Sequence, residues 1–178
     1  MKKWVKISLI VLGSLIIVGG LWIISNIFSA PRPGIPVNQN IVEKLREDIN
    51  DNKQIGIFPS ERKVILKQGS NKGGFAFAIK NDHLENSRFI YKVNIADTAN
   101  IKEDCNLETK EEAESWILDS QGTMILAKKS DNTDYFTVVL FEIPEDAPLC
   151  TIPYVLNVTN LNSNQSFADT VYVTITED

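Results

Sequence analysis

Hydrophobic and polar positions divide the chain into stretches with different periods. From Ile7 to Phe28 there are 22 consecutive residues without a charged side chain. As a helix rising about 1.5 Å per residue they reach about 33 Å, enough for a hydrocarbon core about 30 Å thick. Further on, Ile41, Val42, Leu45 and Ile49 recur at helical spacing, with Glu43, Lys44, Arg46, Glu47 and Asp48 between them. This predicts a short amphipathic helix. A face lying on lipid would normally be rich in Lys and Arg, so this balanced-to-acidic one points to packing on a domain.

From residue 55 the period becomes two. Phe75, Phe77 and Ile79 alternate with Ala76, Ala78 and Lys80, and Phe89, Tyr91, Val93 and Ile95 alternate with Ile90, Lys92 and Asn94. Ile152, Tyr154, Leu156 and Val158 alternate with Pro153, Val155 and Asn157, and Val171, Val173 and Ile175 with Tyr172 and Thr174. Such runs are strands with one face in a core. Less regular runs of the same kind cover Ile55–Phe58, Lys63–Lys67, Trp116–Asp119, Thr123–Ala127 and Tyr135–Ile143. Turn chemistry separates them at Gln68-Gly69-Ser70-Asn71, Asn81-Asp82, Ser120-Gln121-Gly122, Ser130-Asp131-Asn132 and Asn162-Ser163-Asn164. Thr109, with Glu112 three residues later, has the spacing of a capping box. It predicts one helical turn over Glu111–Ser115 that delivers Trp116 towards the core. The expected fold class is all-β: an immunoglobulin-like antiparallel two-sheet sandwich of seven to nine strands, preceded by one transmembrane helix.

The segment Val64-Ile65-Leu66-Lys67-Gln68-Gly69, with Phe75-Ala76-Phe77 after it, resembles the opening of immunoglobulin-like domains on prokaryotic, especially archaeal, membrane-anchored surface proteins. The stretch from Phe141 to Cys150 and then Tyr154-Val155-Leu156-Asn157-Val158 is similar to their last crossing, before a final strand at Asp169–Thr176. The likeness covers about residues 55–177, and the wider set includes major-sperm-protein-like and cell-adhesion-related sandwiches. It implies a displayed structural or binding module and brings no catalytic motif.

Charge placement sets the orientation. Lys2, Lys3 and Lys6 are the only charged residues before Arg32, so the positive-inside rule keeps residues 1–6 in the cytoplasm and exports the chain beyond the span. The rival reading, a cleaved signal peptide, usually has a shorter apolar region ending at a small-x-small site; here Phe28 would stand third from a cut after Ala30. A pilin-type leader needs a small residue just before the apolar run, and Trp4-Val5-Lys6 offers none. Ala30-Pro31-Arg32-Pro33-Gly34-Ile35-Pro36 reads as an extended spacer. The expected organisation is therefore a cytoplasmic tail over 1–6, a signal anchor in the bilayer over 7–28, a stalk with a short helix over 29–54, and an extracytoplasmic sandwich over 55–178.

Composition removes several functions. Residues 31–178 carry 15 basic and 23 acidic groups, a net −8, a poor balance for gripping a phosphate backbone, so no nucleic-acid partner is expected. With one histidine and two cysteines in the chain, no metal or other cofactor is expected. No Gly-x-Ser-x-Gly elbow, Walker loop or dinucleotide glycine cluster is present, so no catalytic residue is assigned and the protein is not expected to be an enzyme.

Cys105 and Cys150 both lie beyond the span, and an even pair on the oxidising side reads as a disulfide, with two buried thiols as the alternative. Asn157-Val158-Thr159 and Asn164-Gln165-Ser166 fit the glycosylation pattern, with Asn157 on the solvent side of its strand and Asn164 in a turn. His83 in Asn81–Asn86 and the run Asp131-Asn132-Thr133-Asp134 carry ligand-type atoms but read as polar turns. Trp116, Tyr135 and Tyr172 could line an aromatic patch, against a core position for Trp116. The expected function is a single-pass surface protein displaying its sandwich for adhesion, envelope scaffolding or binding of a protein or glycan. The alternative is a docking subunit of a membrane secretion, pilus or envelope-enzyme complex.

Overall fold

Large and small side chains alternate between Gly73 and Asn81, and that alternation sets the architecture. Phe75, Phe77 and Ile79 point into the space between two sheets; Ala76 and Ala78 point the other way, yet are buried as well. A strand covered on both faces needs a second layer outside it, and the amphipathic helix supplies that layer. The computed structural model describes residues 39–50, 53–71, 73–97 and 99–177. The expected cytoplasmic lysines, the span over 7–28 and the Pro-rich spacer lie outside the described residues. No helix among the described residues is long and apolar enough to cross a membrane.

Helix α1 (Gln39–Asn50) buries Ile41, Leu45 and Ile49 against Ala76 and Ala78, with Phe58, Phe136 and Val138 packed around them. Alanine at the two central positions lets the helix come close. Gly56 on β1 (Ile55–Phe58) completes the seat, since a Cβ there would stand 2.7 Å from the Leu45 carbonyl oxygen and 2.9 Å from Ile49 Cγ1. The expectation that this helix packs on the domain agrees with the structure.

The chain continues through β2 (Lys63–Lys67), β3 (Gly73–Asn81), β4 (Ser87–Ile95), helices α2 (Ile101–Cys105) and α3 (Lys110–Glu114), and β5 (Gln121–Leu126). It ends with β6 (Ser130–Asp131), β7 (Thr137–Phe141), β8 (Thr151–Asn160) and β9 (Gln165–Thr176). The smaller sheet joins β1, β3 and β7, with β6 on the upper end of β3; the larger runs β2-β9-β8-β4-β5. Strands β1 and β2 are one path that leaves the small sheet after Phe58 and enters the large one at Lys63. Counting them as a single first strand, this is the immunoglobulin-type order, with the first strand shared between sheets and an added strand beside the third.

Between the sheets lies one core of alternating residues, including Phe75, Phe77, Phe89, Phe141, Tyr154 and Leu156. Phe141 and Tyr154 meet edge-on at 5.0 Å, as do Phe77 and Tyr91, the geometry favoured by aromatic quadrupoles. Burial pushes the Tyr154 phenol up from its ordinary pKa, and its hydroxyl donates to the Ala113 carbonyl at 3.0 Å, which ties α3 to the core.

The expected Thr109 cap agrees with the structure, with the helix one residue earlier than expected at Lys110–Glu114: Thr109 Oγ1 accepts from the Glu112 N–H, and Trp116 is buried. Cys105 and Cys150 form a disulfide between α2 and the residue before β8. Closing 45 residues contributes up to about 4 kcal/mol in the chain-entropy view. The bond clamps one end of the sandwich and does not cross between the sheets.

Four expectations need correction. The sandwich is not wholly antiparallel, because β2 pairs with β9 in parallel; β2 inherits its direction from β1, and crossing over brings it beside the descending last strand. Trp116–Asp119 is not a strand. The last turn of α3 still governs it through Trp116 N–H to Ala113 O and Ile117 N–H to Glu114 O, which leaves one isolated bridge to Phe141. Residues Thr133–Tyr135 form a 3-10 turn before β7, since Asp131 Oδ1 accepts from both the backbone and the hydroxyl of Thr133. Helix α2 is an addition to the expected elements; five residues are too few for a readable period.

Replacing Gly56 by Val should lift α1 off the small sheet. We expect a loss of about 2 kcal/mol, the usual cost of overpacking, measured by chemical denaturation of the full chain. An unchanged midpoint would mean that the helix is not seated there.

Candidate binding surface

The two outer faces of the sandwich differ. That of the small sheet is closed by α1, and an ionic cluster fixes the closure. Asp48 falls three residues after Leu45, inside the apolar stripe of α1, and is 8% exposed. Its Oδ2 accepts from the Ile57 N–H at 3.0 Å and from Arg62 Nη2 at 2.7 Å, and its Oδ1 from Lys53 Nζ at 2.6 Å. Burial alone would push the carboxyl up; the bonds from Lys53, Ile57 and Arg62 outweigh it and hold it below its ordinary pKa. Arg62 also donates from Nε to Asp169 of β9 at 3.0 Å and from Nη1 to the Ser60 carbonyl at 2.6 Å. Its backbone is left-handed, with φ 53°, at a cost of about 1 kcal/mol. The guanidinium bonds hold it there.

The outer face of the five-stranded sheet has no such cover among the described residues. Register places Lys63, Ile65 and Lys67 of β2 beside Tyr172 and Thr174 of β9, and next to these Thr151, Pro153, Val155, Asn157 and Thr159 of β8. Arg88, Ile90, Lys92 and Asn94 of β4 and Gln121, Thr123 and Ile125 of β5 complete it. Cross-strand pairs order its polar side chains: Thr151 with Thr174 at 2.9 Å, Thr159 with Ser166 at 3.0 Å, and Asn157 Nδ2 donating to Asn94 Oδ1 at 3.2 Å. A shallow depression of about 640 Å³ lies among Ile90, Lys92, Thr123, Asn157 and Thr159. The outward positions of these strands carry Lys63, Lys67, Arg88 and Lys92 and no carboxylate. In a region with net charge −8, the open face is therefore the basic one.

Asparagines organise the loops at the end where β3 meets β4. Asn81 is fully buried and donates to the carbonyls of Glu85, Leu126 and Ala127. Asn86 accepts from the Lys128 N–H, and Asn162 from the Arg88 N–H. His83 Nε2 stands 3.5 Å from Ser163 Oγ, inside this turn network. In the Asp131–Asp134 run, Asn132 Oδ1 accepts the Ile79 N–H while Asp131 serves Thr133. Both segments are turn scaffolding. Asp82 is likewise structural: burial would raise it, but Gln54 and Lys80 bind it and hold it below its ordinary pKa.

The expected site residues thus fall apart in space. Trp116 is core, Tyr135 is exposed beside α1, and Tyr172 stands on the open face, so the three do not form a patch. Asn164 is exposed in the β8–β9 turn, while Asn157 lies in the middle of the open face. Asn157 Nδ2, the atom that would carry a sugar, is engaged with Asn94 Oδ1. Sequence reasoning missed Asp48, Arg62 and Asp169; the available signal was an acid on an apolar helical stripe and another at an inward position of β9.

No family model and no curated protein matches the chain. Among solved structures it is similar to a family 123 glycoside hydrolase from Clostridium perfringens, at 10% identity and TM-score 0.42, covering 65% of this chain. This chain spans only 23% of that hydrolase's length. It is also similar to WR4, a C. elegans MSP family member, at 12% identity and TM-score 0.41, covering 70% of this chain and 99% of that one. The PapD-like domain 7 of human CEP192 aligns at 6% identity and TM-score 0.42, over 70% and 87% of the two chains. At these scores the immunoglobulin-type assignment rests on the strand order itself.

Because the folded Asp48 carboxyl titrates below its ordinary value, its contribution is complete above about pH 5 and is lost as pH falls through the lowered pKa. Asp48→Asn should cost about 3 kcal/mol near neutral pH, as expected for breaking a largely buried charge pair. The gap between variant and parent should begin to narrow near about pH 4, where the unfolded chain's carboxyl takes up a proton, and close as pH falls through the lowered pKa of the folded one. Denaturation midpoints across pH check this; a gap that stays constant or widens towards acid contradicts it.

Proposed function

We propose that the protein is a single-pass membrane-anchored surface protein whose immunoglobulin-like domain binds an acidic partner, a protein or an anionic glycan, in adhesion or envelope scaffolding. One observation carries the reading: the only broad sheet face left open among the described residues gathers cations and no carboxylates within an acidic domain. Complementary charge across an interface steers encounter and selects partners. Anchoring is supported by the charge-free run over 7–28 behind Lys2, Lys3 and Lys6. A disulfide-bonded domain suits an oxidising compartment.

Binding is favoured over catalysis by the use made of the perturbed groups. Asp48, Arg62 and Asp82 spend their interactions on holding elements together, whereas a catalytic group would face a cleft where substrate can reach it.

A membrane-impermeant crosslinker applied to intact cells that make the full chain tests location and binding together. Wild type should give a covalent adduct with a different molecule of acidic character, distinguished by its mass from a crosslinked pair of this chain. The variant Lys63→Glu, Arg88→Glu, Lys92→Glu should lose it while keeping its denaturation midpoint. A chain that never reacts from outside, or an adduct with a different molecule that survives the charge reversal, overturns the proposal.

A further inference from the structure

Every strand edge of a sandwich presents unpaired backbone groups, and natural sheets blunt or cover them. Here the edges are treated unequally. The outward N–H of Ile57 on β1 is taken by Asp48. Strand β7 is crossed by Trp116–Leu118, with Leu118 N–H to Leu140 O and Glu142 N–H to Trp116 O. On the β2 edge, Lys63 and Lys67 stand two residues either side of Ile65. Strand β5, Gln-Gly-Thr-Met-Ile-Leu, has no charge and no proline, and among the described residues it pairs with β4 alone.

We propose that β5 pairs antiparallel with β5 of a second copy of this chain, joining two five-stranded sheets into one. Val93 N–H donates to Ser120 O at 2.7 Å, and in an antiparallel ladder bonded and unbonded residues alternate. Gln121, Thr123 and Ile125 therefore turn their N–H and C=O away from β4. A two-fold pairing that uses those groups has a single centred register, in which Thr123 faces Thr123 of the second copy and Gln121 faces its Ile125. Each facing pair exchanges two hydrogen bonds, and no like charges meet.

Charge selects this edge. The turns that flank the strand carry Asp119 before it and Lys128 after it, both exposed, and the two-fold sets the Asp119 end of one copy against the Lys128 end of the other. The same two-fold pairing at β2, centred on Ile65, would set Lys63 against Lys67 and repel. Arg88 and Lys92 of the second copy would end in one row but three strand spacings apart, about 14 Å, beyond a Debye length of about 8 Å in physiological salt. The pairing depends only on the β5 edge and stands apart from what the open face binds or where the chain is anchored.

A cysteine on the two-fold axis reads the contact directly. Facing residues of a bonded pair have Cα atoms about 5.5 Å apart, within the span a disulfide accepts. In the full chain in mild detergent under gentle oxidation, Thr123→Cys should give about tenfold more covalent dimer than Ile65→Cys on the exposed β2 edge, since only the former holds its thiol against its twin. Adding Gln121→Pro, which removes an outward N–H at the first strand position where proline is tolerated, should abolish the excess without lowering the denaturation midpoint. Equal crosslinking from the two edges overturns the pairing. So does an excess that persists with Gln121→Pro.

Discussion

Arg62 is the residue through which the two sheets and the covering helix are joined. It sits where the first strand leaves the small sheet for the large one, with its carbonyl accepting the Tyr172 N–H at 2.8 Å. Its side chain reaches Asp48 on α1 and Asp169 on β9. A left-handed backbone at a non-glycine residue is unfavourable, and a guanidinium largely withdrawn from water is costly to leave without partners. Both costs are offset together, because one fork satisfies two carboxylates from opposite layers. The cluster contributes less as raw stability than as registration: an apolar substitute for the whole cluster could be as stable, but would not fix where helix, crossover and last strand meet.

The asymmetry of the surface stems from that fixed point. With α1 pinned through Asp48, Gly56 and the small side chains of Ala76 and Ala78 become a seat and the small sheet is sealed on both faces. The larger sheet keeps one face in water, and there cross-strand Thr, Ser and Asn pairs hold a flat, ordered surface studded with cations. A sandwich with one face closed and the other presented can display without moving parts. The disulfide at one end and the asparagine-braced loops at the other hold the ends of the strands that carry the face.

Much of this frame is legible in the sequence because it rests on local rules. The period-two runs of β3, β4, β8 and β9 declare themselves, the Thr109 cap predicts its turn, and counting to two cysteines predicts the bond. Alternating Phe and Ala in β3 even hints at the helix seat, since alanine is a poor choice for a face left in water. The features that local patterns do not announce depend on distant partners. Arg62 and Asp169 are separated by 107 positions, and nothing local to either signals the other. The parallel pairing of β2 with β9 arises from a crossover visible only in three dimensions. The charge of the open face is likewise a property of five strands read together, against the sign of the whole domain.

The most direct test of Arg62 as the joint between layers is a double-mutant cycle with Asp48→Asn and Asp169→Asn in the full chain. The two carboxylates come from different elements and share only the guanidinium, so the stability losses should depart from additivity by about 1 kcal/mol or more. Losses that add to within about 0.5 kcal/mol would show that α1 and β9 are held independently, and would contradict the account.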